Sequence, residues 1–369
     1  MKFNLLLFSI LIACSSCSST DDIAEPPAVN KETTLFIGGS RIYYAIDAET
    51  GKSKWYFPTE EGRFEYSTAF IDNEALYVGS TDKYLYALNV KNGNLLWKFQ
   101  TDGPIESGVF VNNNTVYFGS DDDNFYALNA QTGELRWKYD TGFNVSSSPI
   151  VSGEIVYFGS DDGNIYALDK SNGTLKWKYY AGSIFNSSSA AIVQNNLYIG
   201  NRNGKLYKID KLTGSLSWVA PLGGSSEYSS PTVSDGFVYT TDNNSLYKID
   251  IQTGTTVWKS KNPGNYSSSP FVNENNIAAG SSAGNILVLD KQTGNIKWEK
   301  TIYSNSAEPV ITDGTVFIGG GGSHFIYAFS ENDGTLKWKY PINSTVTSAP
   351  VVINKNGETV YPSKSGGRN

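Results

Sequence analysis

The eight tryptophans of the chain recur at an almost constant spacing, and this period constrains the fold more than any other feature of the sequence. Successive gaps are 42, 40, 40, 41, 40, 40 and 40 residues. A glycine stands four residues before every tryptophan, and an Asp or Asn stands four residues before that glycine in every copy except the last, which has Ser330. Such a period indicates a repeat protein in which each repeat is one supersecondary unit. The tryptophans are Trp55, Trp97, Trp137, Trp177, Trp218, Trp258, Trp298 and Trp338.

Each repeat contains four short runs that are rich in β-branched and aromatic residues. In the cleanest copy they lie at 147–151, 155–160, 164–169 and 174–179, separated by Gly, Asn, Asp and Ser. These runs are typical of strands and turns, and no part of the repeat carries a sustained helical period. Four antiparallel strands in about 40 residues make one propeller blade. We therefore predict an all-β fold, an eight-bladed β-propeller of four-stranded antiparallel blades, over residues 33–369.

The first blade needs an innermost strand from another part of the chain, because residues 35–57 supply only its second, third and fourth strands. Two segments match the missing strand, 348–353 near the C-terminus and 27–30 near the N-terminus. We favour the C-terminal segment, which would lock the ring through the two chain ends. Residues 359–363 resemble a further second-strand copy without a blade to complete.

The N-terminus is typical of a secretory signal. Lys2 is followed by about ten apolar residues, which is too short to span a bilayer. The run ends in Leu11-Ile12-Ala13-Cys14, which resembles the lipobox of bacterial lipoproteins. That resemblance implies a signal peptide at 1–13, lipidation of Cys14 and a flexible, polar tether at 14–32. The alternative is an ordinary secretory signal followed by two incidental cysteines.

The pattern of Tyr166-Ala167-Leu168-Asp169, Gly173 and Trp177 resembles the tryptophan-docking repeat of the pyrroloquinoline-quinone (PQQ) propeller superfamily. The resemblance covers residues 33–362. It implies that each tryptophan packs between adjacent blades, while the glycine and the Asp form the turn that presents it. These residues are therefore expected to be structural and are given no site role.

The quinone-dependent dehydrogenases of that superfamily resemble this chain in the repeat, but they carry a vicinal Cys-Cys disulfide, calcium ligands and a catalytic Asp. Here both cysteines, Cys14 and Cys17, precede the propeller. His324 is the single histidine of the sequence, which is too few for a His-based metal site and makes a Ser-His-Asp triad unfavourable. No residue of the dehydrogenase catalytic set can be placed on the sequence. We therefore predict no enzymatic activity and expect neither PQQ nor Ca²⁺ as a cofactor.

The lipobox, the tether and the compact blades together resemble the BamB-like outer-membrane lipoproteins. This resemblance implies a non-catalytic scaffold for outer-membrane protein assembly, lipid-anchored in the cell envelope, with envelope proteins as partners. Two alternatives stay open: a PQQ-dependent dehydrogenase-like enzyme, and a surface binding or adhesion module for a polysaccharide. The net charge of -7 makes nucleic acid an unfavourable partner. The sequence does not decide which face of the outer membrane the chain occupies.

Three sets of residues are candidates for contact with a ligand or partner. Ser-rich starts of the innermost strands either line the channel mouth or are small because eight strands crowd the axis. Asp-rich turns at 121–124, 161–163 and 242–244 either bind Ca²⁺ or, as we favour, are ordinary hairpin turns. The third set is a rim of loop aromatics just before the innermost strands, expected to face a partner. It comprises Tyr66, Phe143, Phe185, Tyr228, Tyr266 and Tyr303.

Overall fold

The described residues form 33 β-strands arranged in eight antiparallel sheets, as the tryptophan period predicts. The computed structural model describes residues 32–362 apart from 65, 227, 261–265, 267, 282, 305–307 and 343–344, all within the unit Lys31–Asn369. Within this part of the chain no helix is long and apolar enough to cross a membrane. The signal peptide, Cys14 and the alternative closing segment at 27–30 lie outside the described residues.

The strands follow one another in chain order, four to a blade after the first blade. Blade 1 takes β1 Thr34–Gly38, β2 Ile42–Asp47 and β3 Ser53–Pro58. Blades 2 to 4 contain β4 Phe70–Asp72, β5 Ala75–Gly79, β6 Tyr84–Asn89 and β7 Leu95–Gln100; β8 Phe110–Asn112, β9 Thr115–Gly119, β10 Asn124–Asn129 and β11 Leu135–Asp140; β12 Ile150–Ser152, β13 Ile155–Gly159, β14 Asn164–Asp169 and β15 Leu175–Tyr180.

The second half of the ring repeats the same order. Blades 5 and 6 contain β16 Ala191–Val193, β17 Asn196–Asn201, β18 Lys205–Asp210 and β19 Leu216–Pro221; β20 Thr232–Ser234, β21 Phe237–Thr241, β22 Leu246–Asp250 and β23 Thr256–Lys259. Blades 7 and 8 contain β24 Phe271–Val272, β25 Asn276–Gly280, β26 Gly284–Asp290 and β27 Ile296–Ser304; β28 Val310–Thr312, β29 Thr315–Gly320, β30 Phe325–Ser330 and β31 Leu336–Pro341. The chain ends with β32 Val351–Ile353 and β33 Thr359–Val360.

Burial explains why strand length and composition change from the axis to the rim of the ring. The innermost strands have only two or three residues, because eight of them converge on the axis. The second and third strands are buried on both faces between neighbouring blades and are nearly continuous in apolar residues. The fourth strands alternate between half-buried and exposed residues. The core therefore lies between the blades and not within any single sheet.

The ring closes through the C-terminal segment, which confirms the favoured prediction. Strand β32 pairs antiparallel with β1, and Phe36 lies opposite Val351. The segment 359–363, which resembles a further second strand, contains β33, and the tryptophan spacing did not predict where this strand pairs. Strand β33 pairs with β32 on its open inner edge, so that blade 1 has five strands in the order β3-β2-β1-β32-β33.

The tryptophans dock between blades as the resemblance implies. Seven indole Nε1 atoms each donate a hydrogen bond to a backbone carbonyl of the next blade, at 2.7 to 3.3 Å. Gly173 has φ of +74°, and a Cβ there would lie 2.7 Å from the ring of Trp137. The Asp169 side chain accepts hydrogen bonds from the backbone and hydroxyl of Ser171 and so fixes the turn that carries Gly173. At the ring closure Trp338 donates to the carbonyl of Ala48 in blade 1.

Candidate functional site

The candidate residues all lie on one face of the ring, which we call the top face. It is the face that carries the connections from the fourth strand of one blade to the first strand of the next, and the turns between second and third strands. The opposite face carries the two remaining sets of turns. This division follows from the antiparallel order of the strands within each blade.

The serines at the start of the innermost strands form a hydrogen-bonded belt around the axis. One serine hydroxyl in a blade accepts a hydrogen bond from the backbone N–H at the end of the second strand of the same blade. In blade 4, Ser147 Oγ accepts this bond from the N–H of Gly159. The next residue links neighbouring blades, since the N–H of Ser148 donates to Ser189 Oγ and the N–H of Ser189 donates to Ser230 Oγ, both at 2.9 Å. Gly108, Ser230, Ser269 and Glu308 continue the belt.

The belt favours the structural interpretation of these serines. Their side chains are buried, with at most 6% exposed in Ser146, Ser147 and Ser148. Their hydroxyls already satisfy backbone groups that would otherwise be buried without partners. A ligand at the channel mouth would have to replace these bonds. The serine hydroxyls are therefore poor candidates for recognising a sugar or a polar chain end.

The acidic turns on the top face mostly use their carboxylates to hold their own backbone. Asp162 accepts from the N–H of Asn164 at 2.8 Å and from the hydroxyl of Tyr166 at 2.6 Å. The same pair of bonds is formed by Asp82 with Tyr84 and Tyr86. Asp122 and Asp242 bond in the same manner. Across the residues that the structure describes, no group of three or more His, Cys, Asp or Glu side chains is arranged to hold a metal ion.

The calcium-dependent quinone site of the related dehydrogenases does not fit these residues, since the acidic turns bond to their own backbone and the belt hydroxyls to neighbouring strands. The expected absence of PQQ and Ca²⁺ stays a prediction. His324, with φ of +59°, is exposed in the turn directly before β30, and its carbonyl accepts a hydrogen bond from the N–H of Ile342.

Two half-buried carboxylates at the junction of blades 3 and 4 have raised pKa values. Burial, with the charges of Asp121 and Asp161 added, raises the pKa of Glu106 to about 7. Burial also raises the pKa of Asp121 to about 6, although its hydrogen bond from Ser146 Oγ, at 3.3 Å, acts in the opposite direction. The pair therefore holds protons near neutral pH that it would release in an unfolded chain.

Four of the six rim aromatics are exposed on the top face. The exposed fractions are 47% for Tyr66, 60% for Phe143, 49% for Tyr228 and 67% for Tyr303. Tyr66, Phe143 and Tyr228 lie on the connections that enter blades 2, 4 and 6, and Tyr303 lies at the end of β27 in blade 7, so the four are spread around the ring and do not form one cluster. Large exposed aromatic side chains spaced in this way can contact an extended partner surface.

The other two rim predictions are wrong in their placement, because Phe185 and Tyr266 are buried. Phe185 is 0% exposed and packs over Gly159, where a Cβ would lie 2.7 Å from the phenylalanine Cβ. Val145 covers Gly119 in the same way. Tyr266 is 2% exposed and forms a bridge with Ser281. Phe185 covers the end of the second strand of the preceding blade, and Tyr266 pairs with the residue that follows the second strand of its own blade; both positions are enclosed.

Comparisons with known proteins agree with the geometry. The family model described as "Beta-alanine-activating enzyme, beta-propeller" matches residues 23–319. A search of curated proteins gives no match.

Three solved structures are similar to the chain. BamB from Moraxella catarrhalis has a TM-score of 0.66 and 19% identity, covering 81% of this chain and 88% of that chain. The computationally designed Ika8 protein has a TM-score of 0.67 and 16% identity, covering 82% of this chain and 98% of its own. The quinohemoprotein alcohol dehydrogenase ADHIIG from Pseudomonas putida has a TM-score of 0.65 and 16% identity, and the alignment covers 88% of this chain and 71% of the dehydrogenase.

At these identities the likeness to solved structures establishes the fold alone. The family match spans most of the chain, and two of the three solved neighbours, BamB and the dehydrogenase, are PQQ-like propellers. The chain therefore belongs to the β-propeller family whose model matches it, and its fold is that of the PQQ-like propellers.

Proposed function

We propose that the chain is a non-catalytic propeller of the cell envelope that acts as a protein-interaction scaffold, in the manner implied by its resemblance to BamB-like proteins. One observation carries this proposal. The polar groups around the axis are committed to the serine belt, whereas Tyr66, Phe143, Tyr228 and Tyr303 expose aromatic surface on the top face. Binding on the top face is therefore better supported than chemistry in the channel.

The proposed anchor is a lipid on Cys14, at the end of the apolar leader. With residues 14–32 as a tether, the lipid would hold the ring close to the outer membrane. Mass spectrometry of the mature N-terminus should find a chain that begins at acylated Cys14. An unmodified N-terminus at any other residue would contradict the anchor without affecting the proposed scaffold role.

Co-purification from membranes tests the scaffold function directly. The wild-type chain and a triple variant, Tyr66→Ser, Phe143→Ser and Tyr228→Ser, would be extracted in the same detergent and compared by quantitative mass spectrometry. We expect envelope proteins to accompany the wild type and to be depleted at least about fivefold with the variant, because exposed aromatics contribute strongly to interfaces. Equal recovery with both chains would contradict the proposal.

The likeness to the quinohemoprotein alcohol dehydrogenase keeps an enzyme as the second candidate function. It predicts that added PQQ and Ca²⁺ give a bound chromophore and dye-linked oxidation of an alcohol. A spectrum identical to that of the protein alone would remove this candidate. Enrichment of a polysaccharide in place of proteins in the co-purification would favour the binding or adhesion module, since exposed aromatic faces also stack on sugars.

A further inference from the structure

A groove of about 370 Å³ lies on the top face at the junction of blades 1 and 2. Its lining combines aromatic and apolar side chains with carboxylates, which distinguishes it from the belt and from the other acidic turns. The lining residues used below are Phe57, Tyr84, Glu60, Glu61, Asp82 and Lys98.

The groove has its origin in the longest of the tryptophan gaps. The connection from Thr59 to Ser67 has two more residues than the matching connection from Thr101 to Ser107, and this gives the gap of 42 instead of 40. The longer connection brings Glu60 and Glu61 into the groove, and both are exposed.

Two hydrogen bonds hold this connection in place. The N–H of Thr59 donates to the carbonyl of Arg41 at 2.8 Å, and Thr59 Oγ1 donates to the carbonyl of Gly62 at 2.9 Å. The two glutamates are therefore presented on a fixed backbone, which lowers the entropy cost of binding.

Aromatic rings form the floor of the groove. Tyr84 stands where blades 3 and 4 have Asn124 and Asn164. Phe57 packs edge-on against Tyr86 with ring centroids 5.4 Å apart. The ammonium group of Lys98 lies 4.2 Å from the centroid of the Tyr84 ring, which demonstrates that this ring face accepts a cation.

The charge of the groove is complementary to a cation. Glu60, Glu61 and Asp82 face a single basic lining residue, Lys98. Asp82 is already held by Tyr84 N–H and Tyr86 Oη. In the described part of the chain, neither Glu60 nor Glu61 takes part in an ion pair. Two carboxylates are thus available beside an aromatic floor.

We propose that this groove binds an arginine side chain of a partner protein. A guanidinium group is planar, stacks on aromatic faces and pairs with carboxylates through two parallel hydrogen bonds, so it matches both parts of the lining. Lysine would pair with the glutamates but would gain less from the rings. The inference rests on the proposed scaffold function and adds to it the chemistry of the segment that is bound.

Isothermal titration of the detergent-solubilised full-length chain with acetylated, amidated tetra-arginine at low salt tests this inference. The double variant Glu60→Gln and Glu61→Gln, and separately Tyr84→Ala, should each weaken binding at least about fivefold. The matched control is Glu74→Gln with Glu134→Gln, which removes the same charge from turns on the opposite face. It should change binding less than about twofold.

Lys98→Ala should strengthen binding of the arginine peptide because it uncovers the Tyr84 ring, whereas Lys138→Ala, the equivalent change in blade 3, should alter it less. Tetra-lysine should bind more weakly than tetra-arginine. The inference is overturned if tetra-arginine does not bind, or if the control pair weakens binding as much as the groove pair. The co-purification test uses Tyr66, Phe143 and Tyr228, which do not line the groove. A negative result in the arginine titration would therefore contradict the groove proposal without contradicting the scaffold function.

Discussion

At the scale of single residues, three junctions between neighbouring blades each contain a backbone carbonyl oxygen that accepts hydrogen bonds from both a tryptophan and a tyrosine. The carbonyl of Lys170 receives Trp137 Nε1 at 3.2 Å and Tyr117 Oη at 2.9 Å. The carbonyls of Ala130 and Lys211 receive the equivalent pairs. The junction of blades 6 and 7 differs, because Trp258 Nε1 and Tyr239 Oη are buried without a hydrogen-bond partner in the described structure. A donor buried without a partner costs about 1–3 kcal/mol.

This difference predicts unequal costs for the same substitution at two tryptophans. Trp137→Phe removes packing and a hydrogen bond, whereas Trp258→Phe removes packing and an unsatisfied donor. We expect Trp137→Phe to lower the free energy of unfolding by about 1 kcal/mol more than Trp258→Phe does. Urea unfolding of the two variants measures the difference. Equal losses at both positions would contradict the hydrogen-bonding explanation.

The half-buried carboxylate of Glu106 predicts a pH dependence of stability. Its folded pKa of about 7 lies above its ordinary value of 4.5, so the folded chain binds more protons than the unfolded chain between these values. Stability contributed by this group is therefore present at low pH and falls as the pH rises from about 4.5 to about 7.

The variant Glu106→Gln keeps the neutral shape of the protonated side chain at every pH. Its stability relative to the wild type should therefore increase from pH 4.5 to pH 8, by about 1 kcal/mol once solvent screening of this half-buried group is allowed for. Thermal unfolding at the two pH values provides the comparison. A difference between the two chains that stays constant with pH would show that Glu106 does not titrate in this range.

At the scale of secondary-structure elements, the C-terminal strand β33 completes the ring closure that β32 begins. Tyr361, directly after β33, is only 7% exposed and stacks on Phe70 with centroids 5.1 Å apart. Its hydroxyl donates to the carbonyl of Ile71 at 2.8 Å and accepts from the N–H of Ile71 at 3.2 Å. The segment thus ties the closing blade to the innermost strand of blade 2.

Removal of this tie should loosen both blades that it joins. Tyr361→Phe should lower the free energy of unfolding by about 1–2 kcal/mol, because it leaves both backbone groups of Ile71 without this partner. Deletion of 358–369 should have a larger effect and raise hydrogen exchange in β32 and β4 more than in β16. Tyr180→Phe, at an exposed position, is the control. Unchanged exchange in β4 after the deletion would contradict the tie.

The sequence predicted the number of blades, their strand order and the closing strand, because tryptophan docking and turn glycines require a fixed spacing. It did not predict the place of β33, since pairing depends on which strand edge is open in the folded ring. Phe185 and Tyr266 were misplaced for a related reason. Val145, Phe185 and Tyr266 each stand eight residues after a tryptophan, and the packing of Val145 over Gly119 shows that a side chain at this position is enclosed.

At the scale of the whole molecule, the top face is electrostatically uneven. The turns between second and third strands are acidic in blades 3 and 4, with Asp121, Asp122, Asp123, Asp161 and Asp162, whereas blade 5 has Arg202 and Lys205 at the equivalent turn. An uneven field of this kind orients a charged partner before contact and makes its association rate depend on salt.

Site-specific photocrosslinking in intact envelopes tests the central claim, that the top face binds envelope proteins, most directly. A photoreactive amino acid would replace Tyr66, Phe143 or Tyr228 in turn, with Leu135 and Leu212 on the opposite side of the blades as controls; all five side chains are exposed. The account predicts discrete protein adducts from the top-face positions and none of them from the controls. The same adducts from both sets, or no protein adduct from the top face, would contradict it.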